Sequence, residues 1–346
     1  MGHLEMQVRW IASLEIAASL VLAGCSVFPD TTRTVAVESA DHGHIAAPAS
    51  PDTAEAHVQR GVTLGAQGNL DGAIEELNAA IRLAPDHVDA HVNLGLALEK
   101  KGEWDQAIMA YERAIKAQPD HAGAHAGLGV ALQRKGDLIR AIAEYRTALH
   151  LDPAMLNAHY NLALALHANG DRQAAIAEYD TVIRVNPQYA PAHYNLGVAL
   201  WQQGDIDGTI MEMGIALGME PYLPDAHYYL GLALEAKHDL DGAAAEYESV
   251  TKLRPEDPSA YLHLGQILEQ KGHMSDAVEM YERAGRIAPD TADVHAALGL
   301  ALKATGQYAA ARAELEEALR LLPKDPARQD RRLQLRQALQ ALASKR

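Results

Sequence analysis

Three side chains able to do chemistry stand together in "AHYNLG" at 192–197, and the string nearly recurs as "AHYNLA" at 158–163 and "AHYYLG" at 226–231. His193 brings an imidazole that titrates near neutrality, Tyr194 a phenol, and Asn195 an amide that both donates and accepts. Such a set is open to three readings: acid–base catalysis, metal ligation, or hydrogen bonding to a bound chain. His87/His91 and His121/His125 add i, i+4 pairs, the spacing that turns two imidazoles to one helix face for a divalent metal. Asp41-His42-Gly43-His44 is a looser metal candidate.

The imidazole recurs too regularly for catalysis. His57, His91, His125, His159, His193, His227 and His295 are spaced by multiples of 34 residues, and Tyr261 takes the remaining place. A structural role explains this, with the ring packed between neighbouring helices. One member of each i, i+4 pair belongs to that series, so no metal site is assigned. No phosphate-binding loop, HExxH or nucleophile motif is found. The chain is therefore read as non-enzymatic, with no cofactor and no small-molecule substrate.

The period extends through the chain. Proline falls at 51, 85, 119, 153, 187, 221, 255, 289 and 323, always 34 residues apart. If that proline is position 32, the first repeat begins at Ala54. Position 8 is glycine except for Ala163, position 11 is leucine throughout, and position 20 is alanine except for Thr209. Apolar residues at 7, 8, 10 and 11 mark one helix face and those at 20, 24, 27 and 28 a second. Glycine at position 15 can end the first helix in a left-handed conformation. Asn69, Asp137, Asp171, Asp205 and Asp239 at position 16 are candidate N-caps for the second. The stretch 208–225, with Gly208, Gly214, Gly218, Thr209 and Met213, is expected to be the softest helix.

This pattern resembles the tetratricopeptide repeat, in eight tandem copies over 54–323. The resemblance implies an all-α, right-handed superhelical solenoid of stacked helix-turn-helix units. First helices would line a concave groove and second helices the convex side. Residues 324–346 would form a C-terminal capping helix, Leu333, Leu335, Leu339 and Leu342 covering the last repeat and its arginines facing water. In this family positions 2, 5, 6, 9, 12 and 13 face the groove. Asn93, Asn161 and Asn195 at position 6 resemble the asparagine ladder by which the O-linked N-acetylglucosamine transferases hold an extended peptide backbone. Tyr160, Tyr194 and Tyr228 at position 5, Tyr229 at position 6 and Trp201 at position 12 join them as partner-binding candidates. The Lys and Asn pair of a carboxylate clamp is absent from positions 5 and 9 of the first five repeats.

The ends suggest a place for such a scaffold. Residues 1–24 carry Arg9 and a largely apolar run, then Leu22-Ala23-Gly24-Cys25. The run is too short to cross a bilayer, which needs ~20 residues, and suits a secretory signal. The tetrapeptide resembles the lipobox of bacterial lipoproteins, implying lipidation at Cys25, the chain's one cysteine, and Ser26 implies sorting to the outer membrane. Residues 25–53 then read as a flexible tether. An ordinary signal peptide or an amphipathic helix on a cytoplasmic protein remain alternatives. A net charge of −16 argues against nucleic acid as a partner, although six Lys/Arg and one Asp lie between Pro326 and Arg346. The expected partners are extended segments of other proteins, and a membrane through the N-terminal lipid. The reading is an envelope scaffold facing the periplasm in pilus, secretion or outer-membrane assembly. The alternatives are a cytoplasmic adaptor or the substrate-recruiting accessory of a glycosyltransferase-like enzyme.

Overall fold

The computed structural model describes residues 52–323 and 328–343, and among them it contains seventeen helices and no strand. The expected signal, Cys25 and nearly all of the expected tether lie outside the described residues. The helices are α1 (Ala54–Ala66), α2 (Leu70–Leu83), α3 (Val88–Lys100), α4 (Trp104–Ala117), α5 (Ala122–Arg134), α6 (Leu138–Leu151), α7 (Leu156–Ala168), α8 (Arg172–Val185) and α9 (Ala190–Gln203). They continue as α10 (Ile206–Met219), α11 (Pro224–Ala236), α12 (Leu240–Leu253), α13 (Pro258–Gln270), α14 (Met274–Ile287), α15 (Ala292–Ala304), α16 (Tyr308–Leu321) and α17 (Gln329–Ala343). None is long and apolar enough to cross a membrane.

Local chemistry sets the helix ends. Glycine at position 15 has φ between 77° and 87° in seven repeats, the left-handed geometry that stops a first helix. One residue on, the expected caps are in place. The carboxamide or carboxylate of Asn69, Asp137, Asp171, Asp205 and Asp239 accepts from a backbone N–H of the first turn at 3.0–3.3 Å. Second helices end on a residue pulled out of the α region by the proline that follows, as at Gln118, with φ −138° and ψ 94°.

The chain clusters into two compact units divided between Ala199 and Leu200. In the first, α1 packs on α2, α3 on α4, α5 on α6 and α7 on α8, and α2, α4 and α6 each also pack on the first helix that follows. In the second unit the same succession runs from α10 to α16, and α17 lies across α16 and α15.

Within a pair, position 8 gives position 24 its seat. A Cβ placed on Gly95, Gly129, Gly231 or Gly265 would come within 2.5–2.9 Å of the ring of Tyr111, Tyr145, Tyr247 or Tyr281. Gly61 and Gly299 make the same room for Leu77 and Leu315. The opposing alanines at position 20 are fully buried, and so is Thr209, whose hydroxyl donates back to the Asp205 carbonyl at 2.8 Å. Helix α10 thus forms as a complete helix despite its glycines, of which Gly214 and Gly218 are exposed.

Helix α17 caps as expected through Leu335 and Leu342, both fully buried, with Leu339 packed beside them. Two details differ. Leu333 is 52% exposed, because it lies on the far side of the helix from Leu335 and Leu342. Arg332 does not face water: its guanidinium donates to the Leu319 and Leu322 carbonyls at 2.9 and 2.7 Å, closing the C-terminus of α16.

One helix stop departs from the rule. His238 holds φ 63° where the other repeats have glycine, and its side chain is exposed. A side chain with a Cβ in that region costs ~1–2 kcal/mol. His238→Gly should therefore raise the unfolding free energy by about 1 kcal/mol, measured by urea denaturation, since no packing is lost with the imidazole.

Candidate functional site

The recurrent histidine is a clamp more than a packing filler. Its Nε2 lies 2.7–3.1 Å from the carbonyl of the repeat-end proline in His91–Pro85, His125–Pro119, His159–Pro153, His193–Pro187, His227–Pro221 and His295–Pro289. Its Nδ1 lies 2.5–2.7 Å from a glutamate on the second helix of its own repeat in His57–Glu76, His125–Glu144, His159–Glu178, His227–Glu246 and His295–Glu314. One ring thus ties an inter-repeat turn to both helices of the following pair. The repeat with Tyr261 carries Met280 at the glutamate position, whereas the second repeat keeps His91 and its proline contact with Ala110 there. The sequence shows the spacing of 19 residues between histidine and glutamate, which would have identified the pair. His87 and His121 also have ordinary structural work: each Nδ1 accepts from a first-turn N–H, of Ala90 at 3.4 Å and of Ala124 at 3.0 Å.

A second recurrent contact joins tyrosine at position 24 to position 12. Tyr111, Tyr145, Tyr247 and Tyr281 donate to Glu99, Gln133, Glu235 and Glu269 at 2.9–3.1 Å. Burial, then the neighbouring carboxylate, pushes the hydroxyls of Tyr111, Tyr247 and Tyr281 well above the usual phenol range, so they remain donors.

The partner-binding candidates fall into different surroundings. Asn195 is half-buried, and its amide nitrogen donates to the Tyr160 hydroxyl at 3.0 Å and to the Pro191 carbonyl at 2.8 Å. Asn93 donates to the Asp89 carbonyl at 2.8 Å. The side chain of Asn161, half-buried in the middle of α7, makes no hydrogen bond among the described residues. Tyr160 is also half-buried, its ring edge-on to Tyr189 at 5.2 Å. Tyr194 and Tyr229 are 5% and 4% exposed, so both rings serve mainly as packing. The alternation of large and small neighbours along α9 and α11 gave no hint of this. Cys25 lies outside the described residues.

In the second unit Trp201 is half-buried on α9, and Tyr228 enters a polar cluster absent from the sequence reading. The Tyr228 hydroxyl lies 3.2 Å from Nε2 of His263, whose Nδ1 is 3.3 Å from Glu235 Oε2. The His263 ring stacks on Tyr247 at 5.0 Å between centroids. Tyr228–His263 and Tyr160–Asn195 are the same contact, position 5 of one repeat with position 6 of the next, 35 residues on. That register was available in the sequence. Its use as a clip between first helices was not, since only stacking brings the two positions together.

Two clamp histidines have a definite pH consequence. The Glu246 carboxylate holds the His227 pKa above its ordinary value, against burial and with help from the Pro221 carbonyl. At His295 burial opposes the charge, but Glu314 and the Pro289 carbonyl outweigh it. A raised folded-state pKa contributes stability that is fully present below the unfolded value of ~6.5 and is lost as pH rises through the folded one. An NMR titration of the imidazoles should place both above 6.5, the ordinary value for histidine. Glu246→Gln should return His227 to that value or below, leave His295 unmoved, and flatten the loss of stability on the alkaline side.

Comparison with known proteins fits this architecture. Models of the tetratricopeptide repeat match 94–156 and 129–181, 233–301, and 292–325, and a TPR repeat model matches 63–102 and 169–204. The chain is similar in fold to YrrB, described as "a TPR protein with an unusual peptide-binding site", at 23% identity and TM-score 0.50 over 57% of this chain and 99% of that one. It is also similar to Pseudomonas aeruginosa pilF, at 20% identity and TM-score 0.52 over 59% of this chain and 93% of that one. A tetratricopeptide repeat protein from Parabacteroides merdae matches at 18% identity and TM-score 0.50, over 72% and 98%. Comparison with curated proteins gives no match. With repeat models covering most of 63–325 and helix pairs stacked in succession, the chain belongs to the tetratricopeptide repeat family.

Proposed function

We propose that this chain is an eight-repeat, non-enzymatic scaffold that holds an extended segment of a partner protein on the first-helix face around α7. The tetratricopeptide fold is a protein–protein interaction scaffold, which supplies the general setting. The observation that carries the particular reading is Asn161. Its amide has no bond among the described residues, while Asn93 and Asn195 have committed their N–H groups to the fold. A free carboxamide offers a donor and an acceptor together, the pair that a peptide unit presents. Tyr160 beside it is oriented by Asn195 and Tyr189, so an aromatic surface is in place before any partner arrives.

Capture of partners from envelope extracts, with affinities then measured for the recovered protein, tests this. Asn161→Ala should weaken binding about two- to tenfold, the worth of ~0.5–1.5 kcal/mol for a hydrogen bond, and leave the melting curve unchanged. Leu162→Ala, one residue along and 2% exposed, should instead destabilise by ~2–5 kcal/mol. Equal binding by wild type and Asn161→Ala would remove the α7 face from the interaction.

The second element of the proposal is a lipid anchor at Cys25, with the repeats facing the periplasm from the outer membrane and serving pilus, secretion or outer-membrane assembly. Leu22-Ala23-Gly24-Cys25, placed directly after the apolar run, supports it. Each buried CH₂ of an acyl chain contributes ~0.8 kcal/mol to membrane binding. A palmitate analogue should label the wild type and not Cys25→Ser, and only the wild type should sediment with outer membranes. Absence of label from both, with both in the cytoplasm, supports the cytoplasmic adaptor instead.

A further inference from the structure

Helix α10 has an outer face unlike those of the other second helices in its unit. Its two carboxylates are Asp207 in the first turn and Glu212, which is 7% exposed. Between Gly208 and Met219 no other charged residue occurs. The face that meets solvent is Met211, 58% exposed, Ile215, 38% exposed, and the glycines at 214 and 218, followed in the turn by Tyr222, 81% exposed. The exposed places of α12 include the charged Asp241, Glu248 and Lys252 beside Ala245 and Leu253, and those of α14 are Ser275 and the charged Asp276, Glu279, Glu282, Arg283 and Arg286.

The face has relief as well as polarity. Met211 and Ile215 stand four residues apart and form a ridge. Gly214 and Gly218, also four apart, form the furrow beside it, where an added Cβ would meet nothing within 4 Å. Ridge and furrow are parallel i, i+4 rows, the surface that packs into its own copy at a crossing angle of about −50°. A two-fold axis lays each ridge in the other furrow, as an isologous contact requires.

Charge favours the same occupant. Two chains of net charge −16 repel over most approaches. Here they meet with no exposed charge at the centre. At the N-terminal end of the helix Lys237, paired to Asp207 at 2.9 Å, is still 49% exposed, and Glu220 is exposed just past the other end. We infer that the outer face of α10 is a self-association surface on which a second copy of this chain docks its own α10. Three exposed side chains and two glycines make less than the ~800 Å² per partner of a standard interface. The association is therefore weak and reversible.

Sedimentation velocity on the full chain from about 1 to about 100 µM should show a monomer–dimer equilibrium with a Kd of order 10 µM. Ile215→Arg and Met211→Lys change exposed side chains, so helicity should be kept, and each should raise Kd about tenfold or more. Gly214→Ala/Gly218→Ala should raise the melting temperature, since alanine is the better helix former, while weakening association by filling the furrow. A wild type that stays monomeric at about 100 µM overturns the inference, and so does association that persists unchanged in Ile215→Arg, which would place the contact elsewhere. Co-sedimentation with phosphatidylcholine vesicles provides the third arm. Vesicle binding lost in Ile215→Arg, with both proteins monomeric, would assign the face to a lipid surface and overturn docking of a second copy.

Discussion

The seat that position 8 provides for position 24 governs how close the two helices of a pair can stand. At Gly265 the Tyr281 ring occupies space that a Cβ would enter at 2.5 Å, so the ring lies on bare backbone. A glycine inside a helix costs ~1 kcal/mol against alanine, and burial of a large ring against it more than offsets that loss. Once the distance is set, the position-20 alanines close the opposite side with no exposed surface. In four of the five repeats with tyrosine at position 24 the hydroxyl then reaches across to an acceptor at position 12, whereas Tyr179 meets the His167 ring edge-on at 6.5 Å. Glu99, Gln133, Glu235 and Glu269 accept, whereas repeats with Leu77, Met213 and Leu315 at position 24 carry Gly65, Trp201 and Lys303. A buried hydroxyl without an acceptor is costly, and leucine asks for none.

Stacking one pair on the next is a separate problem, solved by the histidine. Proline ends the second helix but leaves its own carbonyl pointing into the turn with no helical partner. The imidazole of the following repeat takes that carbonyl with one nitrogen and a glutamate with the other, as at His125 with Pro119 and Glu144. In the second repeat Ala110 stands at the glutamate position, and His91 keeps the Pro85 carbonyl at 2.7 Å. In the seventh repeat both are gone, and Tyr261 packs with Met280, Ala284 and Val294 in an apolar cluster instead.

The same economy shapes the first-helix face. Asparagine and histidine at position 6 are turned towards tyrosine at position 5 of the preceding repeat, so a polar surface is partly consumed in fixing its own geometry. A surface fixed in this way loses little conformational freedom when a partner binds. What remains available is small: Asn161, the exposed part of Tyr160 and, in the second unit, the half-buried Trp201 and Tyr228.

The sequence by itself determined the repeat and nearly all of its local grammar. The 34-residue proline grid, the glycine stops and the Asn/Asp caps act over a few bonds, so their positions in the chain are their positions in space. Only the tertiary structure decided which polar groups are spent and which remain. His125 and Glu144 are 19 residues apart, Tyr160 and Asn195 35 apart, and Arg332 and Leu319 13 apart. Each of these contacts exists because stacked helices bring distant residues to about 3 Å, a distance at which donors and acceptors must match. For the same reason Tyr194 and Tyr229 cannot be told from groove residues by their position in the repeat. Periodicity says which side of a helix they occupy, but the packing of neighbouring helices decides how much of each ring is covered.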